Sequence, residues 1–327
     1  MQLRQQILKG IEFVESFSRK QTYLKAYAAD FLFFFIHIAN STDDHELGQL
    51  ALLKGGKVAQ RWRKFQTVPR KTTALIHTII AEQAAHDLGC IDLEFRERLH
   101  NKLTLDRVIE MLGFDPSKQA PPADLTDDCQ HCNYENVRSR VFCISCRKKL
   151  DKLSRYDVWL NAIVVTHHLN IHQMVGGHLF KPTLKWMDKM RPYPTENISL
   201  QDEAWEAAYA ITHVIYALTN YSLRQVKPTG LKTEFAYLKK ACRQARACGD
   251  LDLLGECIDG LRSSSQSSDL ALIDSSISYM LGCQNSDGSW GDIKHPAHRR
   301  MHTTWTVIDA IRGYSWKEPP VSLNDFR

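Results

Sequence analysis

Two sets of residues in this chain have the types and spacing of metal chemistry. The first lies in "CQHCNYENVRSRVFCISC", where Cys129, Cys132, Cys143 and Cys146 follow the pattern Cys-x2-Cys-x10-Cys-x2-Cys. Each Cys-x2-Cys pair can aim two thiolates at one ion, and ten intervening residues suffice for a β-turn-β crossing. Four thiolates leave no open coordination position, so the pattern predicts a structural Zn²⁺. An iron centre or a redox dithiol pair would use the same residues. A module this short has almost no core and depends on its metal to fold.

The second set is histidine, of which the chain has 14. His168 and His172 are spaced i,i+4, which on a helix puts them on one face about 6 Å apart. His167 points roughly 100° away from His168, so one ion cannot take all three without distortion. His213 and His302 each enter an apolar helical run, in "YAITHVIYALTN" and "RRMHTTWTVIDAI", and His37 and His77 lie inside two more. Two or three His with a carboxylate and open positions would suit Fe(II), Mn(II) or Zn(II). Glu203, Glu206 and Glu256 are candidate carboxylate partners; Tyr209, Tyr216 and Tyr221 are candidate proton donors or cavity walls. The competing expectation for each His is a helix-packing residue bonded to a neighbouring carbonyl, and for His45, His100, His295 and His298 a solvent-facing one. Phe31, Phe33, Phe34, Phe35, Trp159, Trp205, Tyr216 and Trp305 could line an apolar cavity, although aromatic residues at helical spacing also build cores.

The elements that must position these groups read as helices. Apolar residues recur at spacings of three and four from near Gln5, Ala26, Glu46, Thr72, Phe95 and Leu105, and again from near Tyr156, Pro182, Asp202, Thr233, Leu251, Asp269 and Thr303. Stretches rich in Pro, Gly, Asn and Asp separate them. The expectation is an all-α protein of paired helices. The Pro-rich, acidic "DPSKQAPPADLTDD" precedes the cysteine cluster, which suggests an N-terminal helical half (1–114), a linker with an inserted metal module (115–151) and a C-terminal helical half (152–327). One His per helix on several helices is what a ring of inner and outer helices around a shared cavity would give.

Bulk properties narrow the function. A net charge of +5, from 42 basic and 37 acidic residues, does not by itself argue for nucleic acid or an anionic membrane, and nucleic acid is not expected as a partner. The apolar run "FLFFFIHIA" is far shorter than the roughly 20 residues that span a bilayer. The N-terminus lacks a signal-peptide pattern, so a cytoplasmic protein with reduced thiols is expected. No Walker loop, dinucleotide fingerprint or Gly-x-Ser-x-Gly elbow occurs.

Two stretches resemble known families. The cysteine stretch is similar to zinc ribbons, whose pattern also includes Asn136, Phe142 and Leu150; it departs at Asn133 and Arg147, where the family usually has Gly. "QNSDGSWG" (284–291), followed by "HTTWTVIDAI", resembles the Gln-Trp motif of the terpene cyclase and mutase family. The α/α toroid of that family is shared with protein prenyltransferase β-subunits. The resemblance implies a toroid or partial toroid in which the motif staples the end of an outer helix to the next inner one. In the prenyltransferase branch it also implies a zinc-ligating His at the position of His302. The Asp-x-Asp-Asp acid of class II cyclases is missing, since Asp250-Leu251-Asp252 lacks the last acid, and "DDHE" lacks the last Asp of the class I motif.

Together these features lead to an expected metal-dependent enzyme with a His-lined cavity. It would be an oxidoreductase or transferase acting on an apolar or secondary-metabolite substrate, with His302, His213 and Tyr216 as catalytic candidates. His167, His168, His172, His213 and His302 are the candidate ligands of a second metal. A terpenoid cyclase-like isomerase with an unrecognised acid is the alternative. A non-catalytic protein that binds a ligand, with a protein partner docked on the ribbon through Arg138, Arg140, Arg147, Lys148 and Lys149, is another.

Overall fold

A computed structural model describes residues 2–326 except 128, 130, 133, 135, 137–139, 195–202 and 266–268, so Asn133 and Arg138 lie outside the described residues. The fold is all-α. Among the described residues there is no β-strand, only isolated bridges. The chain packs as two compact units, one of residues 1–100 with 218–325 and one of 101–217 with 326–327.

The first unit opens with α1 (Gln2–Ser18), α2 (Gln21–Ala26), α3 (Ala28–Ser41), α4 (His45–Arg63), α5 (Thr72–Asp87) and α6 (Leu93–His100). The second unit holds α7 (Leu105–Leu112), α8 (Arg155–Ile171), α9 (Phe180–Lys185), α10 (Met187–Met190) and most of α11 (Glu203–Thr219). The first unit resumes with α12 (Lys232–Cys248), α13 (Leu251–Arg262), α14 (Leu270–Gly282) and α15 (Ala297–Ile311). Most of these helices begin within about three residues of the start that apolar spacing predicts. The exception is α15, which starts six residues before Thr303 because Pro296 occupies its N-cap and the polar turn "AHRRM" is helical.

In the first unit the helices sort into inner and outer ones. From Leu253 to Leu261 every residue of α13 is buried, as are Thr306 to Ile311 of α15, and α3 buries Phe31, Leu32 and Phe34 to Ile38. A helix apolar and buried nearly all round must be surrounded by others. Helix α12 packs on α13, α14 on both α13 and α15, α1 on α15 and α3, and α4 on α3. The outer helices show the usual single buried face, as α1 does with Ile7, Ile11 and Val14.

The 284–291 motif is the staple that its resemblance implies. The indole Nε1 of fully buried Trp290 donates to the Met280 carbonyl (2.8 Å), which closes the last turn of α14, and its backbone N–H donates to Thr304 Oγ1 on α15 (3.0 Å). Gln284 does something the motif alone did not reveal: its amide donates to the Gln6 carbonyl on α1 (2.8 Å) as well as to that of Gly288 (2.9 Å). Asp287 accepts from Ser289 and pairs with Arg300, which ties the turn to the first turn of α15. Gly288 has φ 88°, and a Cβ there would stand 2.5 Å from the Lys9 carbonyl oxygen, so the turn needs glycine for both conformation and space.

Gly255 governs the crossing of α13 and α15. A Cβ on it would sit 2.7 Å from the carbonyl carbon of Thr306, a contact with backbone that cannot move aside. Gly255→Ala should therefore destabilise the protein by about 1–3 kcal/mol, as overpacking does. Gly282→Ala, at the end of α14 with open space around it, should stabilise by about 0.4–1 kcal/mol through the unfolded chain. Urea unfolding midpoints of the two variants, measured side by side, check the sign of each.

Candidate functional site

The inner helices of the first unit carry polar stripes that match in register. On α3 the stripe is Asp30, Phe33, His37; on α15 it is His302, Trp305, Asp309, with the same i, i+3, i+7 spacing; on α13 it is Asp252, Glu256, Asp259. Residues at these intervals share one helix face. The stripes meet layer by layer, which requires the three helices to run in the same direction.

In the outermost layer His302 Nδ1 lies 2.8 Å from Asp252 Oδ1, and Thr306 donates to that same oxygen at 3.2 Å. Asp252, Glu256 and His302 each offer one ligand atom within 4.8 Å of the others. Glu256 is fully buried, whereas the His302 side chain keeps 43 % of its surface accessible, so the cluster has an open side. Burial by itself would lower the His302 pKa. The charge and hydrogen bond of Asp252, followed by the charges of Glu256 and Asp30, outweigh it and raise the pKa to about 10. A group of three carboxylates around one imidazole holds more negative charge than one proton neutralises. Such a donor set suits a divalent ion of the Mn, Fe or Zn type.

Asp30 is half-buried, and among the described residues no hydrogen bond reaches its carboxyl. Burial raises its pKa against the opposing charges of His302, His77 and His298. It also lines a cavity of about 570 Å³ with Lys25, Tyr27, Trp62, Phe65, Pro69, Ala74 and His77. The His298 ring stacks on Tyr27 with centroids 5.1 Å apart. An acid held towards its neutral form beside a chamber of mixed apolar and polar lining is the arrangement of a proton donor.

The middle layer is aromatic. Phe33 lies 5.8 Å from Trp305 and 4.7 Å, edge on, from Tyr221, while Trp305 lies 6.0 Å from His302. Burial and the charge of Glu256 raise the Tyr221 pKa. These rings are half-buried, whereas Phe31, Phe34, Phe35, Trp159, Trp205 and Tyr216 are buried in the core.

The innermost layer is sealed. His37 Nε2 accepts from Arg312 (3.2 Å), and its Nδ1 faces Asp309 Oδ2 at 3.3 Å. Asp309 also accepts from Arg312, and Tyr314 donates to Asp259, whose pKa burial and the neighbouring Asp309 charge push up to about 6. Burial would raise the Asp309 pKa too, but His37 and Arg312 hold it below the usual range.

The remaining histidine candidates lie in the second unit. His168 and His172 share a face as their spacing predicts, their rings stacked with centroids 6.4 Å apart, while His167 turns away to pack on Phe180 at 5.1 Å. Nδ1 of His213 lies 2.9 Å from the Tyr209 carbonyl and its ring meets the Tyr216 ring edge on at 5.5 Å. Among the described residues none of these four joins a group of three ligand atoms.

The four cysteines do form one. Their sulfurs lie within 4.8 Å of one another, with Cys129 to Cys146 at 3.4 Å and Cys132 to Cys143 at 3.6 Å. Sulfurs at 2.3 Å from a tetrahedral ion stand about 3.8 Å apart, so the cluster fits one metal. Cys129, Cys143 and Leu150 make its small core, and Asn136 accepts the Ile144 N–H at 3.0 Å inside the second knuckle. Arg147 adopts φ 62°, so the turn keeps the left-handed backbone that the family usually gives to Gly.

No known family model matches the chain, and no curated protein matches it. Among solved structures, a variant of the type II terpene cyclase MstE from Scytonema, in complex with its substrate geranylgeranyl dihydroxybenzoate, is similar to this chain at 12 % identity and a TM-score of 0.49, over 95 % of this chain and 96 % of that one.

The raised His302 pKa has a defined sign. In metal-free protein the His302–Asp252 pair contributes stability that is complete below pH 6.5 and is lost as pH rises through about 10. NMR of the imidazole in chelator-treated protein should find the ring protonated at pH 8, and Asp252→Asn should return its midpoint towards 6.5. A neutral ring at pH 8 in the unsubstituted protein would contradict the geometry.

Proposed function

We propose that the chain is a metal-dependent enzyme of apolar small molecules, with Asp252, Glu256 and His302 as its catalytic metal centre and a structural zinc in the Cys129–Cys146 module. The convergence of these three ligand atoms from α13 and α15, beside half-buried aromatic rings, is the observation that carries the reading. A divalent ion bound there supplies a Lewis acid with open positions for substrate. The residues around it have definite tasks. Thr306 fixes the Asp252 carboxylate by its hydrogen bond, as outer partners of metal ligands do. Trp305, Phe33 and Tyr221 present apolar surface to a substrate and keep water from the buried carboxylate of Glu256. Metal-assisted oxidation, or transfer to or from an apolar chain such as that of a secondary metabolite, fits this setting.

Asp30 favours a second reading, a terpenoid cyclase-like isomerase in which an acid starts the reaction. Its raised pKa and its place on the 570 Å³ cavity support a carboxyl that gives its proton to an alkene or similarly weak base of an apolar substrate. His213 and Tyr216 have no such support from the geometry around them; they remain candidates for a separate site in the second unit.

Metal analysis separates the readings. The purified chain should hold one metal in the cysteine module and bind a second, Mn(II), Fe(II) or Zn(II), at the Asp252–Glu256–His302 site. Glu256→Gln and His302→Ala should weaken the second by about 100-fold or more and leave the first, whereas Cys143→Ser should lose only the first. If the second binding event is missing from the unsubstituted protein, the metal-centre reading fails. In that case Asp30→Asn should abolish turnover of an apolar polyene while leaving the metal content unchanged.

A further inference from the structure

The cysteine module exposes apolar surface that its metal site does not need. Of the eleven large hydrophobic residues exposed among the described residues, four (Tyr134, Val141, Phe142 and Ile144) fall within eleven residues of this module; Phe142 is 58 % exposed and Val141 54 %. Single exposed apolar residues are ordinary, but a cluster of them marks an interaction surface. The same stretch is cationic. From Arg140 to Leu150 the chain has four basic residues, Arg140, Arg147, Lys148 and Lys149, all exposed, and no acidic one. Phe142 and Lys149 pair across an antiparallel bridge, so their side chains stand side by side on one face. The hydrogen bonds Leu150 N–H to Val141 and Cys143 N–H to Lys148 hold that hairpin, and the cysteine cluster holds its base, so the face is preorganised.

We propose that this face docks an acidic amphipathic segment of a protein partner. Charge complementarity selects an anionic occupant. Val141 and Ile144 select a protein over nucleic acid, because aliphatic side chains offer no stacking face for bases, whereas apolar anchors flanked by Asp and Glu meet the alternation of Phe142 and Lys149 directly. A single-strand platform would instead interleave aromatic rings along a basic track, and the net charge of +5 over the whole chain gives no wider field to support one.

The test uses the full, metal-loaded chain and fluorescence anisotropy with three labelled probes: a synthetic peptide of repeating Glu-Leu-Glu units, a Lys-Leu-Lys peptide of equal length, and an oligo-dT strand. The acidic peptide should bind, and the basic peptide should not. Lys148→Glu/Lys149→Glu should weaken binding at least about tenfold. Phe142→Ser, which leaves the charge unchanged, should also weaken it about tenfold. Ile144→Ser takes its place if Phe142→Ser loses the module's metal. No binding of the acidic peptide, tighter binding of oligo-dT, or sensitivity to the charge reversal alone would each overturn the proposal. So would a dimer, seen by sedimentation, that the same apolar substitution dissolves, since the occupant would then be a second copy of the chain.

Discussion

Everything at the candidate metal centre depends on how closely α13 can approach α15. Gly255 sits where the backbone of Thr306 passes, one residue before Glu256 and three after Asp252. Any side chain there would hold the helices apart, and a separation of one or two ångströms is enough to break a hydrogen bond of 2.8 Å such as that of His302 with Asp252. The staple at 284–291 acts on the same contact from the other side. It anchors Trp290 to Thr304 and Asp287 to Arg300, which sets the first turn of α15 and hence the position of His302. The motif is thus structural in its own contacts and functional through the helix it positions.

The three stripes explain why one face of each inner helix departs from the apolar core around it. Buried polar groups are tolerated where they satisfy one another. In the innermost layer His37, Asp309, Arg312, Asp259 and Tyr314 pair largely with one another, and Arg312 also donates to the Ser41 carbonyl. Towards the outer layer the same geometry leaves more charge and more access: Glu256 and Asp252 face a single imidazole, and Asp30 faces a cavity. The gradient runs from a sealed network that holds the helices in register to an open one that has unspent affinity for a cation. The proposed metal chemistry lies at the open end. The sealed end makes the register that brings the ligands together, so His37 acts as a structural residue despite its place in an apolar run.

Much of this was legible in the residues, and what was not has a physical reason. The cysteine spacing encodes a local knuckle, so four ligands can be read without knowing the fold. Helix starts follow from apolar spacing, and the Gln-Trp stretch marks the entry to α15. Its tie to α1 was hidden, because Gln284 and Gln6 each donate to a backbone carbonyl on the other side, Gln284 to that of Gln6 and Gln6 to that of Leu281, and a carbonyl carries no sequence signal. His302 stood out as the His entering an apolar run after the motif, although it lies in the second turn of α15 and not at its start. Its partners did not: Asp252 reads as the failed end of an Asp-x-Asp-Asp motif, and Glu256 as one of several acids at helical spacing. What distinguishes them is the register between two helices about fifty residues apart in sequence, which no local pattern contains. Asp30 was missed altogether, since an acid in the first turn of a helix is the expected partner of the helix dipole. The one sign was its spacing to Phe33 and His37, repeated on α15 by His302, Trp305 and Asp309.

The two chemical readings of the outer layer are coupled through the charge at His302. Asp252 and Glu256 hold His302 in its charged form, while burial alone raises the Asp30 pKa against the charge of that same imidazole. Protonated His302 supplies one positive charge, and burial holds the Asp30 carboxyl towards its neutral form despite it. A divalent ion at Asp252, Glu256 and His302 would displace the proton from the imidazole and bring a larger charge, which lowers the need for Asp30 to be neutral. A site that holds the metal therefore favours an ionised Asp30, and a site without it favours a protonated one. The occupancy of the cluster and the acid strength of Asp30 are opposite sides of a single balance.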